Sequence, residues 1–376
     1  MRSPSISCPT PLAAVARIYE AKETGARGVD LADQGLKSIP EELNVLPELL
    51  WLDLSRNQLT EIPEYLSQRA SLTSIHLSGN ELTEVPKHFA QLKNLRTLHL
   101  SQNRLSEILE LPPLENLVEL SLSGNQLESC PDLSALENLE ILDLSDNKLV
   151  RIPKHLSRLQ SLTTLHLSNN HLTETPDHLS QLQNLIELHL AVNEFKEIGA
   201  PISQLSKLNS LRLEGNKISE IPEHLSQLQQ LTSLHLSHNP LTEIPEHLSR
   251  LENLSALHLE GNPLTKIPRH LSRLKNLSSL HLAMNQLTEI PEHLSNLKRL
   301  TSLDLSFNQL TEVPEHVSNL HNLVWLGLSF NRITNVPEHL SKLKHLTWLG
   351  LSDNPISTPP IEICERGIDA IRDYYR

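Results

Sequence analysis

None of the devices that usually mark catalysis occurs in this 376-residue chain: no GxxxxGK[ST] phosphate loop, no nucleophile elbow and no HExxH helix. Its many Glu, Asp, His and Ser residues recur periodically instead of converging on one unique place, which argues against an enzyme. Cysteine is limited to Cys8, Cys130 and Cys364, scattered and odd in number. An extracellular chain of this kind would be expected to shield its ends with disulfides, so a reducing, cytoplasmic compartment is expected. No apolar run approaches the ~18 residues of a membrane span, and residues 1–12, with Pro4, Pro9 and Pro11, lack a signal-peptide core and read as a flexible N-terminus. Basic residues are outnumbered, 32 against 45 acidic, for a net charge of -13. That balance argues against unaided binding to nucleic acid and favours a basic or mixed protein partner.

What the chain has is repetition. Fourteen asparagines, from Asn57 to Asn354, each close the pattern LxxLxLxxN, at intervals of 23 residues except for two of 22 between Asn103 and Asn147; Gln34 holds the slot in a fifteenth, upstream copy. This period identifies a leucine-rich-repeat solenoid. The expected fold class is α/β: a right-handed curved arc with a concave parallel sheet and short helical or extended convex segments. In the copy from Leu231 to Asn253, Leu231, Leu234, Leu236 and Leu241 should point inward, while Ser233, His235 and Ser237 line the concave face. Asn239 and its equivalents should satisfy turn donors and carbonyls otherwise buried unpaired between coils. Ile244-Pro245 should carry the chain in extended form toward the convex side, where Leu248, Leu251 and Leu254 share one face.

The domain reading is an elongated solenoid of 15 coils over 26–358, a capping helix at 13–25 and a helical cap at 359–376. Thr10 and Pro11 should start the first cap, with Val15, Ile18 and Tyr19 as its apolar stripe and Gly25 as its stop. Pro359-Pro360 should open the second, with Ile361, Cys364, Ile368, Ile371 and Tyr375 as the stripe and a kink near Gly367. Departures from the pattern include Leu109 in a proline slot, Cys130 and Thr175 in isoleucine slots, and Gly199 in a proline slot with Pro201 nearby. They read as drift in a tolerant repeat, or as local changes that shape a docking surface.

Of 20 histidines, seven occupy the outward strand position, and His235, His258 and His281 do so on consecutive coils; nine more recur on the convex edge, and repeat duplication alone suffices to produce both sets. Zinc needs imidazoles converging at ~2.0–2.1 Å, whereas parallel side chains on neighbouring strands start ~4.8 Å apart and point the same way, so no metal and no cofactor is expected. The ladder is instead a candidate protein contact whose charge responds to mild acid near pH ~6. The chain has only four Phe and three Trp, and four of these seven, Phe307, Trp325, Phe330 and Trp348, gather near the last strands. They are candidate hot spots for a protein partner, since aromatics bury much area with little conformational freedom lost.

The run EAKETGARGVDLADQGLKSIPEEL, the unit NxLxxIPxxLxxLxxLxxL and the ending NPISTPPIEICERGIDAIRDYYR together resemble the leucine-rich-repeat region of bacterial, especially cyanobacterial, Roco-type proteins. The chain is also similar to intracellular Ras-group leucine-rich-repeat scaffolds. The resemblance implies a noncatalytic interaction scaffold or, alternatively, a regulatory region acting on a small GTPase or an adjacent GTPase domain, which would follow where this chain stops. It carries over no GTP site, and only Ile368, Ile371 and Tyr375 would correspond to the cap leading toward that domain.

Overall fold

The structure, a computed structural model, describes residues 11–107 and 111–376. It contains two compact units, Met1–Leu172 and Thr173–Arg376. The expectations for residues 1–10 and for Leu109 lie outside the described residues.

The first unit holds strands β1 (Gly28–Asp30), β2 (Trp51–Asp53), β3 (Ser74–His76), β4 (Thr97–His99), β5 (Glu119–Ser121), β6 (Ile141–Asp143) and β7 (Thr164–His166). Each pairs in parallel with the next, residue for residue, so that Leu52, Ile75, Leu98, Leu120, Leu142 and Leu165 form one row. The second unit repeats the design with β8 (Glu187–His189), β9 (Ser210–Arg212), β10 (Ser233–His235), β11 (Ala256–His258), β12 (Ser279–His281), β13 (Ser302–Asp304), β14 (Trp325–Gly327) and β15 (Trp348–Gly350). Its rows run unbroken from β8 to β15. Three-residue strands suffice because only the central residue must face the core.

Opposite the strands, 3₁₀ turns such as Glu246–Arg250 close most coils. Proline precedes the turn in an extended conformation: Pro245 has φ -75° and ψ 157°. Its missing N–H costs nothing there. Ser249 Oγ donates back to Glu246 O at 2.7 Å. Between sheet and turns, Leu231, Leu234, Leu236, Leu241, Leu248, Leu251 and Leu254 are all buried, as the repeat requires. In the 22-residue interval between β5 and β6 one residue is missing from this side and no 3₁₀ turn forms; Asp132 Oδ1 instead accepts the Ser134 N–H at 2.9 Å.

The asparagine ladder does what its position demands. Asn239 Nδ2 donates to Leu213 O at 3.0 Å in the preceding coil and to Leu236 O at 3.1 Å in its own, and its Oδ1 accepts the Ile218 N–H at 3.0 Å. Gln34, on the first coil, reaches only its own Ala32 O at 3.0 Å. The residue before each asparagine turns left-handed, which glycine meets at Gly261 (φ 67°) and several bulky side chains meet at a cost.

Both ends carry helices, with corrections to the expected stripes. Helix α1 (Leu12–Thr24) follows Pro11, which makes no side-chain cap, and ends at Gly25 with φ 68°. It buries Ala14, Ile18 and Ala21, while Tyr19 is exposed. Small residues let the helix sit close on β1 and the first 3₁₀ turn, and a tyrosine would hold it away. At the other end α2 (Ile361–Cys364) and α3 (Ile368–Tyr374) meet at Gly367, whose φ of 88° makes the expected break. Cys364, Ile368 and Ile371 are buried and Ile361 is exposed; Tyr375 is tied by its hydroxyl to Val336 O.

Candidate functional site

On the outward face of the second unit the side chains of β10, β11, β12, β14 and β15 form a ladder of rings. The parallel register sets His235 beside His258 and His258 beside His281. His235 and His258 stack at 4.2 Å with an interplanar angle of 4°, and His258 meets His281 at 4.5 Å and 72°. Trp325 and Trp348 stack at 4.3 Å and 2°. Trp325 stands at the first strand position and His281 at the third, yet their rings lie 6.2 Å apart, so the histidine and tryptophan groups are joined.

Two glycines explain that reach, and the sequence reading missed both. Where the other strands end in His, Asp, Ser or Arg, β14 and β15 end in Gly327 and Gly350. A Cβ at Gly327 would lie 2.7 Å from Trp325 Cη2, and one at Gly350 would lie 2.4 Å from Trp348 Cη2. Each indole therefore lies flat over its own strand's glycine. The signal was the paired change to WLG on consecutive coils.

Phe307 and Phe330 form a second stack, at 4.1 Å and 8°, in the turns that leave β13 and β14. Both take the left-handed position before asparagine, at φ 55°. Such a conformation costs a bulky residue on the order of 1–2 kcal/mol. They are 48% and 44% exposed and Trp348 is 44% exposed, so the strain maintains open apolar surface. The four aromatics thus gather as two parallel pairs.

Glu260, a carboxylate that the histidine pattern by itself does not bring into view, sits at the centre of the ladder. It occupies a strand exit where most coils carry Ser or Ala. Its Oε1 lies 3.3 Å from His258 Nδ1 and 3.1 Å from His281 Nδ1, and Ser237 donates to Oε2. Burial alone would raise its pKa, but the hydrogen bonds from His258, His281 and Ser237 hold it well below the usual carboxylate range. His281 Nε2 is 3.2 Å from both Ser279 Oγ and Ser302 Oγ. The expectation that the ladder's imidazoles cannot converge therefore fails for His258 and His281, because Glu260 enters from a turn and draws both rings toward one point.

His235 departs from the expectation of a charge change near pH ~6. Burial, helped by His258 and Arg212 and opposed by Glu260, lowers the His235 pKa to about 4. His235 Nε2 pairs with Ser233 Oγ at 2.8 Å. In the first unit a shorter version of the arrangement places His76 on His99 at 4.5 Å, with Glu119 Oε1 2.9 Å from His99 Nε2. Glu119, which interrupts the histidine pattern in sequence, is thus its partner.

Four of the convex histidines have a separate task. His247 Nε2 meets Ile221 O at 2.9 Å, and His224, His270 and His316 contact the matching isoleucine carbonyls of Ile198, Ile244 and Ile290. These carbonyls stand just before the 3₁₀ turns, in a segment too extended to pair them internally. These four histidines are coil-to-coil ties.

The geometry is that of an exposed ladder of rings on a repeat scaffold, and the comparisons agree on the class of that scaffold. Models described as "Leucine rich repeat" match residues 26–82, 70–127, 160–218 and 298–356, and one described as "Leucine-rich repeat region" matches 196–315. The chain belongs to the leucine-rich-repeat family. It is similar to a leucine-rich-repeat protein of Leptospira interrogans, with 33% identity over 95% of this chain and 97% of that one and a TM-score of 0.83. It is also similar to the functional domain of InlJ from Listeria monocytogenes (26% identity, 93% of this chain, 74% of that one, TM-score 0.72). A third similarity is to the plant peptide hormone receptor RGFR1 in complex with RGF2 (27%, 89% and 65%, TM-score 0.64). No curated protein matches the chain. Among the described residues no helix is long and apolar enough to cross a membrane.

Proposed function

We propose that the chain is a noncatalytic protein-interaction scaffold of the cytoplasm, whose contact surface is the outward face of the second unit. The observation that carries this reading is the ring ladder from His235 to Trp348, flanked by the strained and exposed Phe307–Phe330 pair. Trp325, Trp348, Phe307 and Phe330 supply the apolar anchors, and His235, His258 and His281 supply hydrogen bonds beside them. The fold supports a protein partner in general, and one similar structure is that of the plant peptide hormone receptor RGFR1 in complex with RGF2. The cytoplasmic assignment rests on the sparse cysteines, of which Cys130 and Cys364 are free. Affinity purification from the native cell should return a partner with the wild-type chain and lose it with Trp325→Ala/Trp348→Ala. Equal recovery by both would remove the tryptophans from the surface.

A regulatory role toward a Ras-like or Roco GTPase, in cis or in trans, is the second reading. It draws on the likeness of the terminal segments and on exposed Ile361 and Tyr374, which leave apolar surface on the C-terminal cap. Nucleotide turnover by a purified candidate GTPase should then change on adding the chain. Unchanged turnover together with no binding would end this reading.

A further inference from the structure

We propose that His258, Glu260 and His281 form a binding site for a divalent transition-metal cation of the zinc class, with a coordination position left open on the outward face. One donor atom from each of the three residues lies within 4.8 Å of the others. Glu260 Oε1 stands 3.3 Å from His258 Nδ1 and 3.1 Å from His281 Nδ1. In a tetrahedral site with ~2.0–2.1 Å bonds, donor atoms are roughly 3.3 Å apart, so both separations already match edges of a zinc polyhedron. Two imidazoles and one carboxylate suit zinc, cobalt, nickel or copper, whereas calcium and magnesium favour all-oxygen sets.

The surroundings hold these donors in place, which distinguishes the trio from an accidental surface cluster. Ser237 Oγ holds the second carboxylate oxygen of Glu260. Ser279 and Ser302 hold Nε2 of His281, so that Nδ1, once it gives up to solvent the proton it shares with Glu260, is the ring's donor to the metal. His235 stacks on His258 and fixes the plane of that ring. Outer-shell partners of this kind orient metal-binding histidines and typically change affinity 10–100-fold when removed. The three ligand side chains retain 20%, 21% and 26% exposure, enough for a water or a partner's side chain to complete the coordination.

The test uses the full chain, treated with EDTA and dialysed, and titrated with zinc chloride by calorimetry. Wild type should bind zinc, and both Glu260→Gln and the double variant His258→Gln/His281→Gln should bind one equivalent less, or bind it at least tenfold more weakly. His247→Gln, on the convex side, should bind as wild type does. Cobalt chloride added to wild type should produce visible absorption of a low-symmetry four- or five-coordinate ion, which Glu260→Gln should reduce by the share of one equivalent. If wild type takes up no zinc, or if the variants retain its stoichiometry and affinity, the proposal is wrong. Should the double variant fail to fold, the zinc titration of wild type and the cobalt spectrum of Glu260→Gln still decide the matter.

Discussion

At the scale of single residues, polar side chains do most of the specifying. Asn239 answers backbone groups of two coils at once, so Asn239→Ala should cost about 1–3 kcal/mol in chemical denaturation. A change near zero would mean that water replaces the amide. His235 gives a pH signature. In the unfolded chain it titrates near ~6.5, whereas in the fold its pKa is lowered to about 4. Between these values the unfolded state binds more protons, so stability rises with pH through the window and is lost on acidification. His235→Gln should flatten this limb, seen as a smaller fall in melting temperature between pH ~6.5 and ~4.5 in EDTA. Parallel curves for the variant and wild type would show that His235 is not held neutral. Glu260 adds to the acid limb in the same direction, because its lowered pKa also makes its contribution disappear as pH falls.

At the scale of elements, the strand and the turn that follows it divide the labour. The strand fixes the rings in register, and the left-handed turn presents whatever residue precedes the asparagine. At that position Asn169 and Phe330 adopt nearly the same backbone, φ 53° and 55°, but asparagine tolerates it far better. Phe307→Asn/Phe330→Asn should therefore leave stability unchanged or raise it by about 1 kcal/mol or more while weakening partner binding. A loss of stability would show that the stacked rings support the fold instead. Gly350→Ala should displace the Trp348 indole and shift tryptophan emission with little change in melting, since the obstructing atoms are a movable ring edge and the rotatable Ser329 hydroxyl. The coil pattern was legible in the sequence because its leucine period and its asparagines have one physical solution. Pairings between irregularities were not, because they join residues in different coils. A Cβ at Gly199 would lie 1.9 Å from Thr175 Oγ1, so the glycine in a proline slot and the threonine in an isoleucine slot are a single packing adjustment. Glu260 escaped notice for the same reason: its meaning depends on His281 one coil later.

At the scale of the whole molecule, stability is a sum of near-neighbour terms, because each coil touches little beyond the coils beside it. Leu236→Ala, at a fully buried position, should cost roughly 2–5 kcal/mol, yet its effect on amide exchange should fade within a few coils. The ends are the sensitive points, for there one face of the core has no neighbouring coil. At the C-terminus α3 supplies the missing face: Ile371 is buried, Arg372 donates to Leu346 O at 3.1 Å, and the helix packs on the last 3₁₀ turn, Glu338–Lys342. Ile371→Asp buries a carboxylate against apolar side chains and should lift this cap. Hydrogen exchange should then accelerate at Leu326 and Leu349 in β14 and β15, and Trp348 emission should change as its strand loosens. Leu52 and Leu98 in the first unit should keep their protection. Uniform loss of protection in both units would instead show that the molecule melts as one cooperative block, and the near-neighbour account of its stability would fall.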